Sequence, residues 1–148
     1  MTNRLCNQFL GYWTLDRHID DFLFGQTGQF TGQATLVASD TEWHYFESGI
    51  LTLQNQTPLK SEQRYMWSPT PNGFDIHFEN GRFFHSFDLP ENSRINSSAT
   101  AYHWCDPDDY NVQYNLHNFP DWSSIWQVEG PKKSYKLESK YRRLSEDK

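Results

Sequence analysis

Apolar and polar residues alternate with a period of two along most of this chain. Clusters of Gly, Pro, Asn and Asp interrupt the alternation roughly every 8–12 residues, the spacing of β-sandwiches and barrels. Ten stretches read as strands: Phe9–Arg17, Gln29–Val37, Trp43–Leu53, Gln63–Trp67, Phe74–Glu79, Arg82–Leu89, Ser98–Cys105, Tyr110–His117, Ile125–Val128 and Tyr135–Arg143. The run Ile19–Phe24 (IDDFLF) reads as a short helix between the first two. Neither helical heptads nor an internal repeat interrupts this pattern, and no linker divides it, so residues 1–148 are expected to form a single domain. The ends, residues 1–7 and 144–148, are expected to fray.

Two hairpins fix which side chains share a face. In FDIHFENGRFFHSF, Asn80-Gly81 predicts a two-residue type I′ loop. That loop pairs Glu79 with Arg82, Phe78 with Phe83, Ile76 with His85 and Phe74 with Phe87. His85 then lies on the apolar face, Phe84 on the polar one, and Glu79 and Arg82 form a cross-strand ion pair. In SATAYHWCDPDDYNVQYNLH, a four-residue loop Asp106–Asp109 sets Cys105 opposite Tyr110, His103 opposite Val112, Ala101 opposite Tyr114 and Ala99 opposite Leu116. His103 becomes a second inward histidine. Parity also groups Gly11, Trp13, Leu15 and Arg17 in the first strand. It groups Trp43, Tyr45, Glu47, Gly49 and Leu51 in the third, and Tyr135, Leu137, Ser139, Tyr141 and Arg143 in the last.

Composition supports a packed β protein. Phe 11, Trp 6 and Tyr 8 make the chain 17 % aromatic, far above what a disordered polar chain carries, and such residues favour pleated, half-buried surfaces. The net charge of −6 argues against a nucleic-acid or anionic-membrane binder. No apolar run approaches the ~20 residues of a membrane-spanning helix. The start, MTNRLCNQFL, lacks a secretory layout, and two cysteines cannot form a disulfide framework, so a cytoplasmic protein with reduced thiols is expected. Residues 132–148 hold seven basic and three acidic side chains, which read as the solvent face of a final strand.

The opening Phe9-Leu10-Gly11-Tyr12-Trp13, followed by Arg17, resembles the Gly-x-Trp entry strand of the lipocalin-like (calycin) barrels. In that superfamily the Trp closes one barrel end and a basic residue of the last strand packs across it. The resemblance therefore assigns barrel closure to Gly11, Trp13 and Arg143. From Gly11 to Arg143 the chain is also similar to a bacterial and fungal family of small lipocalin-like barrels with no assigned function. The matching pieces are Gly32-x-Ala34, Tyr45-x-Glu47-x-Gly49, Arg64-Tyr65-x-Trp67, Gly81-Arg82-Phe83-Phe84-His85, His103-x-Cys105, Asp108-x-Tyr110 and Trp126-x-Val128-x-Gly130-Pro131-x-Lys133. The fold expected is a single antiparallel, lipocalin-like β-barrel of about eight to ten strands, with the short helix near residues 19–24.

Inside such a barrel Arg17, Glu47, His85 and His103 converge, and buried charge must be paired, hydrated or bound. Tyr45, Tyr110, Tyr114 and Trp126 would wall the cavity. The expected function is an intracellular carrier or sensor for a small molecule, aromatic and anionic, with Arg17 on the anionic group and the histidines exchanging protons. One alternative is a small cofactor-free isomerase, lyase or cyclase in which His85, His103, Glu47 and Arg17 perform acid–base chemistry. A third is a structural barrel with a filled interior. His103-x-Cys105 is not supported by a CxxC or HExxH pair, so neither metal nor cofactor is expected. The sequence leaves oligomeric state open.

Overall fold

A computed structural model describes residues 3–90, 95 and 97–144. All ten expected strands are present: β1 (Gly11–Asp21), β2 (Gln26–Val37), β3 (Trp43–Leu53), β4 (Leu59–Pro69), β5 (Gly73–Phe78), β6 (Phe83–Asp88), β7 (Ser98–Cys105), β8 (Asp108–Asn115), β9 (Trp122–Gly130) and β10 (Lys133–Arg143). They form one antiparallel sheet in the order β6-β5-β4-β3-β2-β1-β10-β9-β8-β7, curled into a nearly closed barrel. β6 and β7 run alongside each other without a ladder among the described residues, and Phe84 and His103 bridge that seam with their rings 5.3 Å apart. Closing so few strands demands tight coiling. Gly32 and Gly49 face each other across β2 and β3, where added Cβ atoms would come within 2.1 Å and 2.3 Å of backbone oxygens, so only glycine permits this approach. Among the described residues no helix is long and apolar enough to cross a membrane.

One barrel end is sealed. Residues Arg4–Phe9 form a 3₁₀ helix whose Leu5, Cys6 and Phe9 are buried, and the Asn3 side chain accepts a hydrogen bond from the Leu5 N–H. Residues 3–7 are thus held in place where a frayed end was expected, and residues 1 and 2 lie outside the described ones. The Phe9 ring packs against Trp67, Phe74, Phe87, Phe119 and Trp122. Trp13 Nε1 donates to the Phe9 carbonyl at 3.0 Å. The Arg143 guanidinium stacks on the Trp13 ring at 3.9 Å and donates to the carbonyls of Gln8 and Leu10 at 2.6 and 2.7 Å. The last strand thereby ties the first strand to the helix.

Four local expectations are corrected. Ile19–Asp21 continue β1 and pair with β2 down to Asp21 opposite Gln26, leaving Phe22–Phe24 as an exposed turn rather than a helix. The Asp21 carboxylate accepts from the Leu23 and Phe24 N–H groups and holds that turn. The loop after β5 is also longer than two residues. Gly81 N–H donates to Phe78 and Phe78 N–H to Arg82, a type I turn closed by Gly81 at φ +91°. The register then shifts beyond Ile76 and His85, which makes Phe84 a bulge. Phe84 turns inward at 7 % exposure and Phe83 outward at 52 %, the reverse of the expectation, and Glu79 and Arg82 form no ion pair among the described residues. The β7–β8 loop is two residues, not four, so His103 faces Tyr110 and Ala101 faces Val112. A slip of two keeps every side chain on its expected face. Of the expected frayed tail, Leu144 is tied by its N–H to the Tyr12 carbonyl, and residues 145–148 lie outside the described ones.

The basic outer face of β10 is matched by β1. Lys140 lies opposite Asp16 and Lys136 opposite Asp20, complementary charges on the solvent side of one ladder.

Candidate functional site

Above the aromatic plug the barrel encloses a cavity of about 320 Å³. Alternation aims residues from β1, β3, β4, β5, β6, β8, β9 and β10 into it. Of the residues singled out from sequence, Arg17, Tyr45, Glu47, His85, Tyr110, Tyr114 and Trp126 line it, and His103 does not. The bulged Phe84 fills the place between His103 and the cavity, with its ring 5.3 Å from His103 on one side and 5.0 Å from Trp126 on the other.

The polar floor is a connected network. Arg17 donates to both Glu47 oxygens at 2.6 and 3.1 Å and, through Nε, to Ser139 Oγ at 2.7 Å. Tyr45 donates its proton to Glu47 Oε1 at 2.6 Å, so the 2.7 Å contact between the Tyr45 and Tyr141 hydroxyls requires Tyr141 to be the donor. Burial drives the Tyr45 and Tyr141 hydroxyls well above the ordinary tyrosine range, with the neighbouring Glu47 charge adding to it. Burial works against the Arg17 charge, and Glu47 overrides it and holds the guanidinium protonated. The result is an internally balanced ion pair. Arg17 spends three of its five N–H groups within the protein, so the expectation that it receives an anionic ligand finds its charge already answered by Glu47.

His85 stands on the opposite wall. Its Nε2 shares a 2.8 Å hydrogen bond with the Tyr114 hydroxyl, and it is only 3 % exposed. Burial, with a smaller contribution from His103, lowers its pKa to about 3. The imidazole is neutral at physiological pH, and a group this weakly basic is poorly matched to general-base work there. Three buried nitrogens find no hydrogen-bond partner among the described residues: His77 Nδ1, which lies outside the cavity, and His85 Nδ1 and Trp122 Nε1. The last two belong to side chains lining the cavity, and leaving each unsatisfied costs ~1–3 kcal/mol.

This histidine makes stability pH-dependent. Its folded pKa is below the ordinary 6.5, so the unfolded chain takes up a proton that the folded chain refuses. Stability is therefore complete above pH ~6.5 and falls as the pH drops toward 3, by about 2 kcal/mol at pH 5. Urea unfolding from pH 7 to 4 should show this decline, and His85→Gln should reduce its slope. An equal slope in the variant would contradict the assignment.

Sequence reasoning missed several members of the site. Tyr141 and Ser139 were on the correct face, but nothing in the alternation distinguished them from packing residues. Tyr65, Trp67, Ser61 and Gln63 on β4 and Trp122 and Ser124 on β9 also line or floor the cavity. Ser61, Trp122 and Ser124 lie beyond the short apolar runs that marked β4 and β9, so parity did not reach them. The site is aromatic overall: Trp122 stacks on Tyr141 with centroids 3.8 Å apart, and Tyr45 on Trp67 at 5.3 Å.

Comparison with known proteins agrees with the fold. The family described as a family of unknown function (DUF6314) matches residues 9–143. None of the curated proteins matches the chain. Among solved structures, that of the S-type phycobiliprotein lyase CPES from Guillardia theta is similar, with a TM-score of 0.64 at 9 % identity over 99 % of this chain and 95 % of the other. At that identity the likeness shows the shared barrel alone.

Proposed function

Because the chain belongs to DUF6314, a family of unknown function, its role has to be argued from the barrel interior, and we propose an intracellular carrier or sensor that binds one small aromatic molecule there. The carrying observation is the cavity itself, about 320 Å³, walled by tyrosine and tryptophan rings, with two buried nitrogens of its lining unpartnered. Ligand pockets run ~300–1,000 Å³, so this one suits a compact ring system rather than a long chain. The stacked walls favour a flat guest. His85 Nδ1 and Trp122 Nε1 supply polar positions that a guest could satisfy. The unpaired thiols of Cys6 and Cys105 suit a reducing compartment.

A filled structural barrel is not supported, because the interior is hollow. The acid–base enzyme is less well supported than the carrier: His85 is a weak base, His103 is screened by Phe84, and Glu47 is committed to Arg17 and Tyr45. Native mass spectrometry of the protein purified from its own host tests the proposal. A retained small molecule, released on denaturation and missing from a cavity-filling Leu137→Trp variant, is expected. No retained mass, together with no fluorescence enhancement of the neutral probe N-phenyl-1-naphthylamine, would overturn it.

A further inference from the structure

The cavity has a direction. Its lining is fully buried at the end nearest Phe9, where Tyr45, Glu47, Trp67, Tyr114 and Tyr141 sit. Further along β8 and β10 Tyr110 and Tyr135 are half-buried, and on β4, beside Tyr45 and Glu47, Tyr65 is half-buried and Gln63 exposed, so this side is the mouth. Hydrogen-bond donors are in excess there. Gln63 donates to the Tyr65 hydroxyl at 3.2 Å and Lys133 donates to the Tyr110 hydroxyl at 3.2 Å. The Tyr65 oxygen is thus an acceptor, and the Tyr110 oxygen meets both Lys133 and the Tyr135 hydroxyl, which bonds to it. One proton on Tyr65 and one on the Tyr110–Tyr135 pair are left over among the described residues. Lys133 carries three N–H donors. One goes to Tyr110, and Asp108 at 3.4 Å accounts for another. The hydrogen bond to Tyr110 raises the Lys133 pKa, so the ammonium stays charged.

We propose that the ligand carries an anionic group, a carboxylate by preference, which docks at this mouth on Lys133, Tyr110 and Tyr65 while its aromatic body fills the cavity. The inference rests on the small-molecule reading and deepens it by placing the anion away from Arg17. Two carboxylate oxygens offer about four lone pairs, enough for the remaining ammonium proton and the two hydroxyls. A neutral carbonyl would answer the hydroxyls but not the charge. Asp108 is the opposing feature: it pairs with Lys133 and repels an incoming anion, so its removal should help binding.

Two probes of the same ring skeleton separate the outcomes. The first, 8-anilinonaphthalene-1-sulfonate, carries an anionic group in place of the carboxylate, and N-phenyl-1-naphthylamine lacks it. The wild-type chain should bind both, with enhanced fluorescence. Lys133→Met should weaken the sulfonate by about tenfold, the loss of one charge-assisted hydrogen bond, and leave the neutral probe within about twofold. Asp108→Asn should tighten the sulfonate. Lys133→Met affecting both probes alike, or neither, would overturn the placement of the anion while leaving the cavity reading standing. Failure of the wild-type chain to bind either probe would overturn both.

Discussion

Arg17→Met should destabilise the protein by about 3–5 kcal/mol in urea unfolding at neutral pH, because it strands the Glu47 carboxylate. That carboxylate has 6 % of its side-chain surface exposed and accepts two hydrogen bonds from Arg17, at 2.6 and 3.1 Å, and one from Tyr45. Removing the guanidinium leaves the charge buried with one neutral donor. The double variant Arg17→Met/Glu47→Gln removes the charge as well and should recover most of the loss. Non-additivity in this cycle is the signature of a direct pair. A single-variant cost below about 1 kcal/mol would mean that Glu47 is hydrated rather than paired.

Phe9→Ala should cost about 3–5 kcal/mol, the range for deleting a buried aromatic ring. Phe9 is 0 % exposed, and its ring meets five others at centroid distances from 4.9 to 6.3 Å. The void left behind would lie under the cavity floor beside Trp122, so bound probes should also sit more loosely, with broader emission. As a control, Phe24→Ala in the exposed β1–β2 turn should change stability by no more than about 0.5 kcal/mol. Equal effects at the two positions would show that the N-terminal helix does not plug the barrel.

The alternation of apolar and polar residues was enough to locate all ten strands because strand side chains repeat every two residues, a purely local rule. For the same reason seven of the eight expected ligand-contacting residues line one cavity. What failed was whatever depended on a count at a turn. Asn80-Gly81 marked a hairpin correctly, but the loop took a third residue and the bulge at Phe84 absorbed it, which exchanged the faces of Phe83 and Phe84. His103 lost its place in the cavity through that exchange rather than through any error of its own, since it keeps its expected face. The IDDFLF run was misread because the β1–β2 ladder extends to Asp21, and pairing overrides a weak local helical pattern. The helix at residues 4–9 is too short to nucleate alone and exists because the barrel end buries Phe9.

The amino-acid sequence by itself determined where the strands lie, the inward face of β1, β3, β8 and β10 and the meeting of Arg17 with Glu47 in one interior, because periodicity and parity are properties of neighbouring residues. Only the tertiary structure decided that Arg17 is already neutralised, that His85 is neutral and its Nδ1 unpartnered, and that the donors left over gather at the mouth. Those outcomes depend on ångström-scale distances and on burial, which arise when strands far apart in the chain close upon each other.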